Sequence, residues 1–580
     1  MLVVGLDVGM FHDASACAIV DGELVFATEE ERYTRYKHAV RQPPFNSLVR
    51  TFRFMKGMGL RPGDVDAFAA NWNLRLVFGW LAERSQYVSR FGRLYDVYTK
   101  HRLMPSYVEF GTGLLRGDLH FLIRRLIRGA AREVGEDLDD RDIRLVPVRH
   151  HLAHAASAYY FSGFSSSSIL VLDGAGEREG TTIWRVRNGE FEELSRIGIE
   201  EGSLGFLWEK ISNRLGYDFL EGPGKLMGLA PYGGGYAGFL ERLRSMVRLS
   251  SGGKPYTFVA PPAEVAEHVV DGVVKWDPRR EVHSVAASVA RALQEFTNEI
   301  FVHLGRWIRD ATSEDRIALA GGVALNARAN MELHYSKIFN DMFIFPAAND
   351  AGTSIGAAAY VYEHVLGGRM KHGRLRNVYL GAEYSDEDIK SAVEASKFRA
   401  KYVGDDVNEV ADLIARGNVL TWYQGRSELG PRALGNRSIL ADPRDKEMWK
   451  RLNAIKGREF WRPLAPSLLE EDKGEYFVDP VAHEFMILMF RFRDGMAGRV
   501  PAVYHVDGTA RPQTVTRDMN PTYYDVIKAF KDMTGEGIVV NTSFNLAGEP
   551  LVETPRDAIR SFAAGGFDAM YMQGYLIYKR

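Results

Sequence analysis

The chain has 580 residues, 73 Lys plus Arg against 75 Asp plus Glu, a formal net charge of −2 and 46% hydrophobic residues. At about 150 residues per domain this length suggests two to four domains, with room for a sizeable core. The near-neutral balance excludes a global pull toward nucleic acid or membrane, although local basic patches could still hold phosphate. The single cysteine, Cys17, excludes an intramolecular disulfide and a multi-cysteine metal site, and inside ASACAIV it reads as a small buried hydrophobe. MLVVGLDVG carries no basic segment and no long apolar run, and no window reaches the roughly 18 apolar residues of a membrane span. The expected location is the cytoplasm.

In chain order, LVVGLDVG reads as a buried strand ending in glycines, and ACAIVDGELVFATEEE as a hairpin turning at Asp21-Gly22. His12 and Asp13 follow the first strand. A neutral imidazole there is a candidate general base, with Asp13 or Asp7 to orient it; alternatively, Asp13 caps the segment that starts at ASA. Residues 107 to 139 read as helical and charged. In region 71 to 139, Trp72, Trp80, Phe91 and Tyr95 either line an acceptor pocket or serve as ordinary core and surface. RLVPVRHHLAHAASAYYFSGF runs strand, histidine cluster, helix. SSSSILVLDGAGEREGTTIWRVRNGE again gives strand, Asp-Gly-x-Gly turn, strand and Asn-Gly turn.

The pattern of apolar strand, Asp, glycine turn and hairpin therefore occurs twice, at Asp7 and at Asp173. Two such halves facing across a cleft would hold a nucleotide or phosphate, because glycine turns point backbone N–H groups at the ligand. The alternative is two unrelated hairpins. EGPGKLMGLAPYGGG, 221 to 235, places Lys225 among glycines without forming a Walker motif. It is read either as a phosphate contact or as an active-site loop whose lysine is a surface charge. DRIALAGGVALNARANMEL and DMFIFPAANDAGTSIGAAAYVY each give strand, glycine turn and helix, with helix N-termini able to receive anions and small residues that permit close helix packing. The character changes across 364 to 402, where a boundary is expected.

His150 and His154, four apart, share one face of a helix and could ligate one divalent ion; alternatively they are helix-start histidines bonded to backbone. Asp173 and Asp350, each beyond an apolar strand, would complete a set suited to iron, manganese or zinc if the strand ends converge. In the second unit, cations sit in glycine- and proline-marked turns: Arg426, Arg432, Arg437, Lys456, Arg458, Arg462 and Arg511, with Asn541, Ser543 and Asn545 after a strand. These suggest a recessed anion site. The competing account, a basic face for RNA, lacks the interleaved aromatics that such a face uses.

Taken together, FHDASA, EEERYTRYKH, HHLAHAASAYY, LDGAGE, GKLMGLAPYG, GGVALN, NDAGTSIGAA, GRSELGPRALGNRSILADPR, KGREFWRPLAPS, HVDGTARPQTV and NTSFNLAGEP resemble the two-domain O-carbamoyltransferases that modify antibiotics, toxins and nodulation factors. The resemblance covers nearly the whole chain, in order. It implies an α/β architecture: a duplicated actin-like ATPase domain over 1–365, a linker over 366–400, and over 401–580 an α/β domain similar to the adenylate-forming partner of tRNA threonylcarbamoylation. The implied reaction makes carbamoyladenylate from carbamoyl phosphate and ATP in the C-terminal domain, then transfers the carbamoyl group to a small-molecule hydroxyl in the N-terminal domain.

The family's metal ligands fall on His150, His154, Asp173 and Asp350, with His151 beside the pair. Its acceptor-side histidine falls on His12, and its carbamoyl-phosphate and adenylate contacts on Arg432, Lys456, Arg462, Arg511 and Ser543. Of these, His12, Lys456 and Arg462 are the expected catalytic groups. Nucleotide contacts are expected from Asp173, Gly174, Gly176, Lys225, Gly321, Gly322 and Asn326. The implied cofactors are ATP with magnesium, carbamoyl phosphate as co-substrate, and a divalent metal, iron first and manganese or zinc next. The expected partner is a hydroxyl acceptor, without nucleic acid or membrane; a homodimer is allowed. One departure is an extra Pro-Gly before Lys225. Two rival readings are a fused tRNA threonylcarbamoyladenosine-type enzyme and a non-catalytic actin-like nucleotide-binding protein.

Overall fold

The computed structural model describes residues 1–73, 119–273 and 284–579. Trp80, Phe91 and Tyr95 lie outside the described residues.

Two five-stranded sheets form the N-terminal part. The first contains β1 (Leu2–Asp7), β2 (Ser15–Val20), β3 (Glu23–Glu29), β4 (Ala67–Ala70) and β5 (Leu145–Pro147), in the order β3-β2-β1-β4-β5. The second contains β6 (Ser166–Leu172), β7 (Glu179–Arg187), β8 (Glu190–Gly198), β11 (Arg316–Ala320) and β12 (Asp341–Ile344), in the order β12-β11-β6-β7-β8. A small ribbon, β9 (Val247–Leu249) with β10 (Tyr256–Phe258), lies between β8 and β11 in the chain. In each sheet the first strand pairs antiparallel with a hairpin and parallel with a later strand, which in turn carries a second parallel strand. The internal similarity read at Asp7 and Asp173 is thus a repeat of the whole topology, one hairpin and two parallel strands added to the first strand of each sheet. Both hairpins turn as expected. Asp21 and Gly22 have φ of 48° and 78°, and Asn188 and Gly189 have 50° and 87°, the left-handed pair that a two-residue hairpin loop requires.

The halves exchange helices. The helix His150–Tyr160 follows the first sheet but packs on β6 and β11 of the second. The helix Thr353–Tyr360 follows the second sheet but packs on β1, β2 and β4 of the first. The two helices also pack on each other, and this needs a small residue: a Cβ on Gly356 would overlap the Ala153 carbonyl oxygen, just as one on Gly5 of β1 would overlap the Ser354 carbonyl where the second helix meets the first sheet. The outer face of the first sheet is covered by the helices Phe45–Gly57 and Leu119–Arg132.

The C-terminal part is built on an eight-stranded mixed sheet in the order β13-β22-β21-β14-β15-β20-β16-β19. Its strands are β13 (Arg399–Tyr402), β14 (Leu420–Tyr423), β15 (Arg437–Ala441), β16 (Ala465–Leu469), β19 (Gln513–Val515), β20 (Ile538–Ser543), β21 (Ala569–Met572) and β22 (Tyr575–Tyr578), with a ribbon of β17 (Phe490–Arg491) and β18 (Thr509–Ala510) beside it. The stretch expected as a linker contains the helix Asp386–Ser396, which packs on the helix Pro555–Ala564, and runs into edge strand β13. One apolar core runs from Val3 to Ile577 and so joins the two parts. Among the described residues no helix is long and apolar enough to cross a membrane.

The glycine-dense stretch 221–235 differs from a loop. Residues Gly222–Leu229 form a helix with Pro223 in its first turn, followed by a 3₁₀ turn at Ala230–Tyr232. Its glycines serve close packing: a Cβ on Gly228 would press on Pro463 at 3.2 Å, and one on Gly233 would overlap the Ala287 carbonyl.

Candidate functional site

Four buried side chains converge where the two halves meet. Asp173 follows β6, Asp350 opens the turn after β12, and His150 and His154 lie one turn apart on their helix. One ligand atom from each lies within 4.8 Å of the others. The two Nε2 atoms are 3.2 Å apart, His150 Nε2 is 3.5 Å from both Asp173 Oδ2 and Asp350 Oδ1, and His154 Nε2 is 3.7 Å from Asp350 Oδ1. Asp173 Oδ1 accepts the Gly322 N–H at 2.9 Å, which aims the other oxygen at the histidines. Burial by itself would lower His150, but Asp350 and Asp173 outweigh it and raise this imidazole well above its ordinary value. Two nitrogens that face each other can share only one proton, whereas a divalent cation would satisfy both nitrogens and both carboxylates. The N₂O₂ donor set fits such an ion.

His151 stands apart, as expected. Its Nδ1 shares a hydrogen bond with Thr182 Oγ1 at 3.0 Å, burial pushes it down to about 3, and a Cβ on Gly176 would sit 2.6 Å from its ring. It is a neutral packed side chain. Asp7 lies behind the cluster, accepting from the Gly9 N–H and from Asn71 Nδ2, and burial with Asp350 pushes its carboxyl up.

Beside the cluster, Asp13 carries two histidines. Its Oδ2 is 3.1 Å from His12 Nδ1 and its Oδ1 is 2.9 Å from His38 Nδ1, while Asn349 Nδ2 donates to Oδ2 at 2.8 Å. Asp13 is therefore an orienting group, and its φ of 59° sets it in the left-handed region that Asp tolerates. Burial would lower His12, but Asp13 and Asp350 raise it to about 10. His38 was not singled out from the sequence, because it lies in the separate YKH segment. Glu209 was also missed: burial pushes its carboxyl up to about 8, and one of its oxygens is buried with no partner among the described residues.

The cations of the second unit also gather. Arg432, Arg458 and Arg511 each keep a buried N–H donor with no partner among the described residues. Burial, then Arg462, lowers Arg432 to about 10 and Arg458 to about 9; burial, then Arg432, lowers Arg511 well below the guanidinium range. Mutual repulsion in a buried place is what a multiply charged anion relieves. Lys456 stands behind this group. Its ammonium donates to the Ser543 carbonyl, to Ser543 Oγ at 3.1 Å and to Asn545 Oδ1 at 3.0 Å, so it sets the end of β20. Arg426 and Arg437 are occupied elsewhere. Arg426 donates to the carbonyls of Gly381 and Val25, and Arg437 donates to that of Gly425 and stacks on Tyr423 at 3.8 Å.

A single cavity of about 750 Å³ spans both groups. His12, Asp173 and Asp350 line one end, Arg432, Arg458, Arg462, Arg511 and Ser543 the other. Gly174, Gly322, Asn326 and Lys225 also line it; Gly176 and Gly321 do not. Gly321 has φ 89° and its Cα faces the Leu172 carbonyl, a close approach that leaves no room for a side chain. Asn326 caps the helix Ala327–Tyr335 by accepting the Ala329 N–H. Lys225 lies 3.1 Å from Glu459 and 3.5 Å from Glu221, bridging the two parts.

Comparison with known proteins agrees with this two-part construction. Residues 3–359 match the family described as Carbamoyltransferase N-terminus and residues 411–579 that described as Carbamoyltransferase C-terminus. Nodulation protein NolNO of Sinorhizobium fredii (strain NBRC 101917 / NGR234) is 35% identical over 98% of this chain and 79% of its own. Nodulation protein NolO of Bradyrhizobium diazoefficiens is 39% identical over 75% of this chain and 79% of its own. The 3'-hydroxymethylcephem-O-carbamoyltransferase of Streptomyces clavuligerus is 32% identical over 59% of this chain and 62% of its own. The chain belongs to the carbamoyltransferase family.

Proposed function

We propose that the protein is an ATP-dependent O-carbamoyltransferase acting on a hydroxyl of a small-molecule natural product. The observation that carries this is the single cavity lined both by the cations and by His12, Asp173 and Asp350, the last two being the carboxylates of the His–Asp cluster, whose histidines lie behind them. A carbamoyl group is a weak electrophile because nitrogen donates into its carbonyl; a mixed anhydride with AMP supplies a good leaving group. At the cationic end, carbamoyl phosphate, ATP and one water give carbamoyladenylate, pyrophosphate and phosphate. Arg432, Arg458, Arg462 and Arg511 offset the phosphoryl charge as this anhydride forms, and Lys456 holds Ser543 and Asn545 toward it.

The adenylate then meets the acceptor at the other end. The hydroxyl oxygen attacks the carbamoyl carbon, the C–O bond to AMP breaks, and the hydroxyl proton passes to His12 Nε2. Asp13 holds His12 by Nδ1, while His38 and Asn349 hold Asp13. His150, His154, Asp173 and Asp350 would hold a divalent metal, which when bound supplies Lewis-acid polarisation of a carbonyl or phosphate oxygen. Against burial, Asp13, then Asp350 and Asp173, raise His12 to about 10, so it is the neutral fraction of this imidazole that accepts the proton.

The test is to incubate the protein with ATP and carbamoyl phosphate, then with a panel of hydroxylated natural products. Expected are pyrophosphate, a carbamoyladenylate mass and a carbamoylated acceptor. Absence of pyrophosphate and adenylate would sink the proposal, and an adenylate formed only from threonine and bicarbonate would favour the tRNA-type reading.

A further inference from the structure

We propose that Glu177 is a positioning residue that sets the geometry of the His150–His154–Asp173–Asp350 cluster; the proposal rests on the reading of that cluster as a metal site. Glu177 is buried, 2% exposed, and its carboxylate spends both oxygens on backbone. The His150 N–H donates to both, at 3.0 and 3.1 Å, and the Asn73 N–H donates to Oε1 at 2.9 Å. The His150 N–H opens its helix and has no acceptor within it. The residue before Asn73, Trp72, stacks on the His150 ring at 4.3 Å with planes 24° apart. One carboxylate therefore ties the start of the histidine helix to the segment that backs the His150 ring.

Glu177 stands four residues beyond Asp173 in one turn, closed where the Gly176 N–H donates to the Glu179 carbonyl at 2.7 Å. That turn carries an oxygen of the cluster at one end and the anchor of the histidine helix at the other. The distances from Asp173 to His150 are thereby fixed through a path of four residues and one hydrogen-bonded carboxylate. Arg149 adds a flank, donating to Glu179 at 2.9 Å and to Glu193 at 3.0 Å, but it grips the side-chain surface and leaves the His150 N–H to Glu177. Removing the carboxylate strands the buried His150 N–H and the part-buried Asn73 N–H and frees the helix to shift along its axis.

The test is Mn(II) binding by equilibrium dialysis to the full chain, for wild type, Glu177→Gln and Glu177→Ala, with circular dichroism and melting as folding controls. Groups that orient metal ligands typically contribute about 10- to 100-fold to affinity. Glu177→Ala is expected to bind about that much more weakly, and Glu177→Gln to fall between, because its amide oxygen still accepts an N–H. A variant that melts lower but binds Mn(II) like the wild type overturns the proposal and leaves Glu177 a helix cap. Should Glu177→Ala fail to fold, Glu177→Gln decides alone: unchanged affinity overturns, weaker binding supports. A wild type that binds no Mn(II) fails at a different point, overturning the metal reading and this proposal with it.

Discussion

Arg511 lines the cavity together with three other guanidinium groups, Arg432, Arg462 and Arg458, and burial, then their charges, lower its pKa. Without an anion such an arrangement opposes folding at Arg511 and Arg432, whose charged neighbours are all cations, while Glu459 offsets only Arg458 and Arg462. Arg511→Met should therefore raise the melting temperature in phosphate-free buffer, by about 1 kcal/mol of stability. The same variant should lose the stabilisation that pyrophosphate gives the wild type, about 2.7 kcal/mol at a hundredfold excess over Kd. Thermal melts with and without pyrophosphate check both signs; a variant that is less stable in both buffers would mean Arg511 is a structural cation. These cations were legible because arginines inside glycine- and proline-marked turns are hard to explain as surface. The spacing of His150 and His154, and an aspartate after each apolar strand, were legible too. Glu177, Glu209 and His38 were not. Each is a lone polar residue whose partners come from distant segments, so no spacing marks it.

At the scale of elements, the cluster depends on two helices that each half lends to the other. One carries both histidines, and the other follows directly on Asp350. Their separation is set at Gly356, whose Cα lies against the backbone of Ala153 and Ser157. Gly356→Ala cannot be absorbed by a rotamer change, because the obstacle is main chain. It is expected to cost about 1–3 kcal/mol and to impair carbamoyl transfer more than pyrophosphate release, since the cationic end lies elsewhere. Melting and the two half-reactions measured separately check this; equal losses in both would mean general loosening. The small-residue run GTSIGAAAY pointed to close helix packing, and Asp21-Gly22 and Asn188-Gly189 pointed to their hairpins through local turn chemistry alone. The helix exchange had no such mark, because both helices are buried on nearly every side and show no single apolar stripe. The run of glycines at 221–235 misled for a related reason: glycine permits a loop, but it equally permits a helix pressed against Pro463 and Ala287.

For the whole molecule the decisive feature is that the two ends of the chemistry share one cavity and one core. In the proposed reaction an adenylate made at Arg432 and Arg511 and consumed beside His12 would travel inside the protein, where exclusion of water would limit hydrolysis of the anhydride. The wall between the two parts is held by the Gly222–Leu229 helix. Lys225 reaches Glu459, and the Tyr232 hydroxyl that follows the helix donates to the Trp461 carbonyl at 3.1 Å. Lys225 is 18% exposed and Glu459 6%, so this is a largely buried pair, and removing Lys225 leaves Glu459 with the longer contact to Arg462 at 3.7 Å. Lys225→Met should loosen that wall and let adenylate escape. The expected signature is a ratio of pyrophosphate released to carbamate formed that rises from near one in the wild type to well above one, with pyrophosphate formation itself little changed. If Lys225 instead contacts the nucleotide, pyrophosphate and carbamate should fall together and the ratio stay near one. Quantifying both products in the same reaction separates the two roles.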